Sequence, residues 1–283
     1  KRWDVLGEVL ARAAELGLRR DSVIAGLGGG VVCDLAALAA ALYMRGTRLV
    51  LVPTSLVAMS DAAIGGKSAV DMAGIRNLAG TTYVADEVRI HTGFLASLPE
   101  REYRAGLAEV IRTGLIAAPK VEDLLRTSPE AFLARDVELL EETVRRCVAA
   151  KASLAERDPY DVGMRRSLNL GHSFGHGLEA VKPELLHGEA VAWGIGRALD
   201  LGLELGLTEP TFAASTRALL ELYGFALSFD KVDAEALLAA MRLDKKAVRE
   251  GIRLVIPRDT CSVSYELVDE ARILAVLRRG LTP

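Results

Sequence analysis

The sequence predicts an α/β fold in two parts, and three observations carry that expectation. Short apolar runs alternate with helix-period stretches up to residue 90. A three-glycine turn joins the first such run to the helix after it. Beyond residues 97–99 the strand signals fade behind long helical periodicities until near the C-terminus, so the expected division falls between residues 98 and 99.

Composition bounds the function before any motif is read. At 283 residues and 51% apolar content the chain can bury a sizeable core, and with only 5% aromatics Leu, Ala and Val must fill it. The net charge is −3 and the basic residues are scattered, which argues against nucleic-acid or membrane-surface partners and for a small-molecule substrate. Cys33, Cys147 and Cys261 are far apart, odd in number and outside any CxxC pattern, so they read as reduced thiols and small apolar fillers in a cytoplasmic protein. No apolar run is long enough to span a bilayer, and Asp4 and Glu8 interrupt any signal-peptide core at the start.

In order along the chain, residues 3–16 place Val5, Leu6, Val9, Leu10, Ala13 and Leu16 at helical spacing and stop at Gly17. Residues 22–27 form a short apolar run, followed at once by Gly28-Gly29-Gly30 and a helix-like stretch over 31–43. Strand, glycine turn and helix together let backbone N–H groups approach a pyrophosphate, although a tight packing turn accounts for glycines equally well. Asp34 adds a polar group to the first part of that otherwise apolar helix. Residues 48–52 read as a buried parallel strand ended by Pro53-Thr54-Ser55. Asp61 to Ser68 set a carboxylate and Lys67 around a glycine pair, in what reads as a polar loop outside the core. Its Gly-Gly-Lys-Ser run is no P-loop, because Asp61 stands where the first glycine belongs. Residues 86–90 are a strand candidate and 95–99 a turn. Helical periodicity then runs through 102–116, 137–157, 189–205 and 208–223. Residues 251–257 and 262–267 suit a small β-ribbon, and 269–277 a last helix.

Three of the four histidines, His172, His176 and His187, fall in one stretch. His172 and His176 are four residues apart among helix-compatible residues, so both imidazoles share a helix face, and His187 opens a second helical run. Imidazoles converging from two helices suit a catalytic zinc site, and hydrogen-bonded core histidines are the competing reading. Glu109 lies within an apolar helical stretch where a carboxylate needs a partner, which makes it the obvious further ligand; Arg112 is one turn on, on nearly the same face. Cations near the cluster point to an anionic substrate.

The blocks GGGVVCD (28–34), VPTS (52–55), DAAIGGKSAV (61–70), LPEREYRAGLAEVI (98–111), LNLGHSFGHGLE (168–179), LHGEAV (186–191) and LDKK (243–246) resemble the 3-dehydroquinate synthase family of the shikimate pathway in order and spacing, across essentially the whole chain. The resemblance implies a Rossmann-like NAD-binding domain over 1–98, then a mostly α-helical metal- and substrate-binding domain over 99–283. It implies Glu109, His172 and His187 as ligands of zinc or cobalt, with His176 moved to the substrate side, where it and Asn169 would handle proton transfer. NAD would contact Gly30, Val31, Val32, Cys33, Asp34, Thr54, Ser55, Lys67, Arg76, Phe94, Leu95, Ala96 and Ser97. Asp61, Lys67, Asn77, Arg112, Lys151, Arg165, Lys245 and Lys246 would fall on the substrate pocket.

The implied enzyme is a carbon–oxygen lyase, expected as a homodimer. It would cyclise the phosphorylated substrate 3-deoxy-D-arabino-heptulosonate 7-phosphate to 3-dehydroquinate, with NAD⁺ oxidising transiently and phosphate leaving. This chain departs from the family at Arg76 and Arg112, where lysine is usual, and at Cys33, Ser55, Asp71 and Asp161. Arginine keeps the charge and changes the geometry, so a sister cyclase acting on another seven-carbon phosphate is the alternative. A metal-dependent alcohol dehydrogenase fits the GHSFGH block badly. The family also has an upstream α/β segment with a ribose-binding acidic residue; a chain without it should bind NAD poorly.

Overall fold

A computed structural model describes residues 1–73, 75–243, 247–248 and 251–282. The first elements are α1 (Trp3–Glu15), β1 (Val23–Gly28), α2 (Gly30–Leu42), β2 (Arg48–Pro53), β3 (Lys67–Met72), β4 (Ile75–Thr82) and β5 (Glu87–Val88). Helices follow: α3 (Glu100–Ala117), α4 (Pro119–Thr127), α5 (Pro129–Leu133), α6 (Val137–Arg157), α7 (His172–Val181), α8 (His187–Glu204) and α9 (Pro210–Leu222). The chain closes with β6 (Phe229–Asp230), α10 (Ala234–Arg242), β7 (Ala247–Val248), β8 (Gly251–Asp259), β9 (Ser262–Val268), α11 (Glu270–Arg279) and β10 (Leu281–Thr282). Two compact units result, one of residues 1–103 with 140–161, the other of 104–139 with 162–283.

The first unit is built on a parallel sheet of order β1-β2-β5, with β1 and β2 in register from Val23 opposite Arg48 to Gly28 opposite Pro53. Helix α2 is apolar on both sides because both are covered. Cys33, Ala36, Ala37 and Ala40 pack with Leu49 and Leu51 of the sheet, while Leu38 and Ala39 pack with Leu6 of α1 and Val70 of β3. Small alanines let the helix lie close to the strands, which is how a chain poor in aromatics reaches core density. The strand expected over 86–90 is only two residues long, since Asp86 turns its carboxylate onto the Leu49 N–H at 2.8 Å. The loop expected outside the core at 61–68 is divided: Asp61 and Ala62 end a helical turn that begins at Ala58, Ala63 and Ile64 are buried, and Lys67 opens β3. Strands β3 and β4 form an antiparallel hairpin that the sequence reading missed, with Ser68 and Val70 facing inward at period two.

The second unit is helical, with the antiparallel sheet β7-β8-β9 running from Ile252 opposite Val268 to Asp259 opposite Ser262. Trp193 is fully buried and donates its indole N–H to the Gly280 carbonyl at 3.2 Å. Phe132 meets Tyr223 edge to face at 6.2 Å, and the Tyr223 hydroxyl donates to the Leu125 carbonyl at 2.8 Å. Of the cysteines, Cys33 and Cys147 are buried as expected; Cys261 is exposed at the β8–β9 turn, where the hairpin leaves no core to fill. Among the described residues no helix is long and apolar enough to cross a membrane.

Two glycines set how closely the helices of this unit approach. A Cβ on Gly194 of α8 would stand 2.0 Å from the Gly171 carbonyl oxygen, at the start of α7, and one on Gly188 would stand 1.8 Å from the Ala105 carbonyl oxygen of α3. Backbone against backbone cannot yield as a side chain can, so both contacts require glycine. Gly188→Ala is therefore expected to lower stability by about 1–3 kcal/mol or more, as overpacking does, read from the urea midpoint.

Candidate functional site

Helices α3, α7 and α8 each bring one donor to a single point. Glu109 lies mid-way along α3 in a stretch buried on every side, and is itself 1% exposed. His172 opens α7, directly after Gly171 in the left-handed region, and His187 opens α8. The entry to α8 is held by Glu189, whose carboxylate accepts from the Leu186 N–H at 2.8 Å. Glu109 Oε1 lies 3.5 Å from His172 Nε2 and 3.1 Å from His187 Nε2. One donor atom from each of the three lies within 4.8 Å of the others.

The groups behind these donors decide which lone pairs face inward. His172 Nδ1 is 3.1 Å from the Leu170 carbonyl oxygen, which can only accept, so Nδ1 carries the proton and Nε2 presents its lone pair to Glu109. His187 Nδ1 is 3.2 Å from Glu179 Oε2, and the same argument holds for the neutral ring. Among the described residues neither oxygen of Glu109 has a hydrogen-bond partner of good geometry. Two imidazole lone pairs and the buried carboxylate oxygen Glu109 Oε1, facing one another, repel unless a cation lies between them. The donor set therefore fits a divalent metal with nitrogen and oxygen ligands. A proton answers the same demand: burial opposes charge on His187, but Glu109 and Glu179 outweigh it and raise the ring from 6.5 to about 10.

Arg112, expected at the substrate, is 2% exposed and lies behind Glu109. Its Nε stands 2.9 Å from Oε2, its Nη1 donates to the Leu168 carbonyl at 2.5 Å, and its Nη2 to Thr113 Oγ1 at 3.4 Å. His176 joins the cluster, its ring centroid 5.5 Å from that of His172 and 5.9 Å from that of His187. Asn169 and Arg165 belong to the short helical segment before α7, where Asn169 Nδ2 donates to the Arg166 carbonyl at 3.1 Å and Arg165 is buried. Glu179 was not singled out from the sequence. It lies three residues beyond His176 and seven beyond His172, a spacing that puts all three on one helix face and could have flagged it.

In the first unit Thr54 and Ser55 lie beside the glycine turn that leads into Gly30 to Asp34. Helix α2 begins at Gly30 with no side-chain cap on its N-terminus, and Val31 and Val32 are 52% and 40% exposed there. Free N–H groups at an open helix start suit a phosphate. The Thr54 N–H donates to the Gly28 carbonyl at 2.9 Å, which ties the end of β2 to the turn, and Ser55 Oγ accepts from the Ala58 N–H at 3.3 Å. Asp34 is ion-paired with Lys1; burial raises its carboxyl and Lys1 draws it back down. Burial, with Asp34 alongside, pushes the Cys33 thiol up to about 11, so it stays an uncharged filler.

Lys151 pairs with Asp61 at 2.8 Å and donates to its carbonyl at 2.5 Å, and Lys67 pairs with Asp161 at 2.5 Å. Phe94, Leu95, Ala96 and Ser97 share one short helical turn, with Leu95 buried and the Ser97 hydroxyl donating to the Phe94 carbonyl at 3.2 Å. Arg76 and Asn77 lie exposed on β4, where the Asn77 N–H donates to Asp71 Oδ1 at 2.9 Å. Lys245 and Lys246 lie outside the described residues.

Known proteins share both sequence and shape with this chain. The family model "3-dehydroquinate synthase N-terminal" matches residues 1–105, and "3-dehydroquinate synthase C-terminal" matches 106–247. A 3-dehydroquinate synthase of Xanthomonas oryzae pv. oryzae is 42% identical over 98% of this chain and 77% of its own length. The 2-epi-5-epi-valiolone synthase of Streptomyces hygroscopicus subsp. jinggangensis, solved with NAD⁺ and Zn²⁺ bound, superposes with TM-score 0.90 at 28% identity, over 98% of this chain and 78% of its own. A 2-deoxy-scyllo-inosose synthase, solved with carbaglucose-6-phosphate, NAD⁺ and Co²⁺, gives TM-score 0.89 at 25% identity, over 99% and 80%.

Two outcomes follow from this geometry. His172→Ala and His187→Ala should each abolish zinc binding by calorimetry, whereas His176→Ala should keep the metal and lose turnover; equal metal loss in all three would reverse the division of roles. Arg112→Met leaves the Glu109 carboxylate buried without its cation and is expected to cost about 3–5 kcal/mol in the chelator-treated protein, read from the urea midpoint, with much of the loss recovered on adding zinc.

Proposed function

The chain belongs to the 3-dehydroquinate synthase family, and on that premise we propose that it converts 3-deoxy-D-arabino-heptulosonate 7-phosphate to 3-dehydroquinate and phosphate, as a carbon–oxygen lyase. The observation that carries the reading is the convergence of Glu109, His172 and His187 within a chain whose two halves both match that family. A sister cyclase is the less supported reading, since the relatives of that kind stand at 28% and 25% identity against 42% for the 3-dehydroquinate synthase. Arg112 does not favour it either, because its guanidinium is buried against Glu109.

In this reading Glu109, His172 and His187 hold zinc or cobalt, and the α2 turn from Gly30 to Asp34, with Thr54 and Ser55, holds NAD. When bound, the metal supplies Lewis acidity at the hydroxyl to be oxidised, and NAD⁺ supplies a hydride acceptor that returns what it takes. The protein's own part is to bind, orient and move protons. His176 is a ring nitrogen beside the metal set, and with Asn169 it is the group to take and return the proton of the oxidised hydroxyl. Lys67 and Lys151 are each held by a carboxylate, which keeps their ammonium groups in place for the anionic ends of the substrate. Arg165, Asn77, Lys245 and Lys246 complete the proposed polar contacts, and Lys67, Arg76 and the turn from Phe94 to Ser97 those to NAD.

The free thiols and the absence of a disulfide among the described residues support a cytoplasmic setting, and a homodimer is proposed on family grounds. Phosphate release from the seven-carbon keto-acid phosphate by the purified protein tests the reading. Release should need both NAD⁺ and metal and stop with a chelator. A protein with zinc and NAD⁺ demonstrably bound that releases none would refute it.

A further inference from the structure

We infer that Glu179 is a positioning residue of the metal centre, fixing His187 in the one tautomer and ring orientation that turns Nε2 toward Glu109 and His172. The inference rests on the reading of those three residues as ligands. Glu179 sits on α7 and is 2% exposed, so its carboxylate has lost most of its water and requires a donor. The Nδ1–H of His187 stands 3.2 Å from its Oε2, while the other nitrogen of the same ring stands 3.1 Å from Glu109 Oε1. One imidazole is thus held between two buried carboxylates, one behind it and one across the site.

The two histidine ligands are secured in different ways. His172 faces the backbone carbonyl of Leu170, two residues away, so its orientation follows from the local chain. His187 is 34% exposed on the first turn of another helix, and its tie to α7 runs through Glu179. A carboxylate behind a ligating imidazole orients the ring and raises its basicity, and loss of such a partner commonly weakens metal affinity about 10–100-fold. His176, Glu179 and His187 also have donor atoms within 4.8 Å of one another, which raises a rival role for Glu179 as a ligand itself. The roles exclude each other, because an Nδ1 that donates a proton to Glu179 cannot coordinate an ion beside it.

The test uses the full chain, stripped of metal and titrated with zinc against a chromophoric chelator. Glu179→Ala should bind zinc about 10–100-fold more weakly than the parent protein, with its circular dichroism unchanged. Glu179→Gln keeps an acceptor without the charge and should recover part of that loss. The cobalt-loaded Ala variant should show a changed visible spectrum, which a purely structural role would leave alone. In zinc-loaded parent protein, long-range ¹H–¹⁵N spectra should find His187 protonated at Nδ1, a readout that does not depend on any variant folding. Protonation at Nε2 would overturn the inference, as would unchanged affinity and cobalt spectrum in folded Glu179→Ala. Two zinc ions per chain, falling to one in the variants, would make Glu179 a ligand and overturn it too. Zinc binding that depends on Glu179 in a protein releasing no phosphate would leave this inference standing and remove the proposed activity.

Discussion

A carboxylate buried to 1% exposure, with imidazole nitrogens 3.1 and 3.5 Å from one of its oxygens, is the constraint on which the second unit depends. Removing an anion from water costs several kcal/mol, and that cost is offset only by a cation nearby. Glu109 meets it on two sides. Arg112, one turn on in the same helix, stands against Oε2, and the space toward the histidines calls for a second positive charge at Oε1. The two oxygens of one side chain thus stand in different surroundings: Oε2 is against Arg112, and Oε1 faces the two imidazoles.

That arrangement holds only if three helices come unusually close. Gly188 lets α8 meet α3 at Ala105, and Gly194 lets α8 meet the start of α7 at Gly171, each at a distance that excludes a Cβ. The two histidines of the donor cluster stand next to these contacts, His187 one residue before Gly188 and His172 one after Gly171. Helix approach and the placing of these rings therefore depend on the same glycines, and the groups behind the rings, the Leu170 carbonyl and Glu179, turn closeness into direction.

The first unit follows a different logic. Its helix α2 is made of small residues because it is packed on both faces, and its uncapped N-terminus stays open beside the end of β2. Burial keeps Cys33 uncharged at that turn, whereas Lys1 supplies the counter-ion for buried Asp34. Lys151 pairs with Asp61 and Lys67 with Asp161, so each ammonium group is held against a carboxylate.

Much of this was legible in the residues. The helix expected over 137–157 is α6 to the residue, because 21 residues of period 3.6 admit little else. The β-ribbon near the C-terminus, the strand–glycine–helix opening, the helix that carries His172 and His176 and the helix start at His187 also follow from local periodicity and punctuation. Less legible was the β3–β4 hairpin, whose alternation begins inside a glycine-rich, polar stretch that reads as loop. Arg112 reads from its charge as a cation for substrate, and its pairing with Glu109 at 2.9 Å is a contact that the shared helix face alone does not reveal. Glu179 went unread because a glutamate in an amphipathic helix ordinarily faces water, and only the packing of α7 on α8 makes it a buried partner. By itself the sequence determined the elements, their order and the residue types able to bind a metal, all of which depend on neighbours within a few turns. The tertiary structure alone decided which donors meet and which carboxylate stands behind His187, because those contacts join residues eight to 78 positions apart.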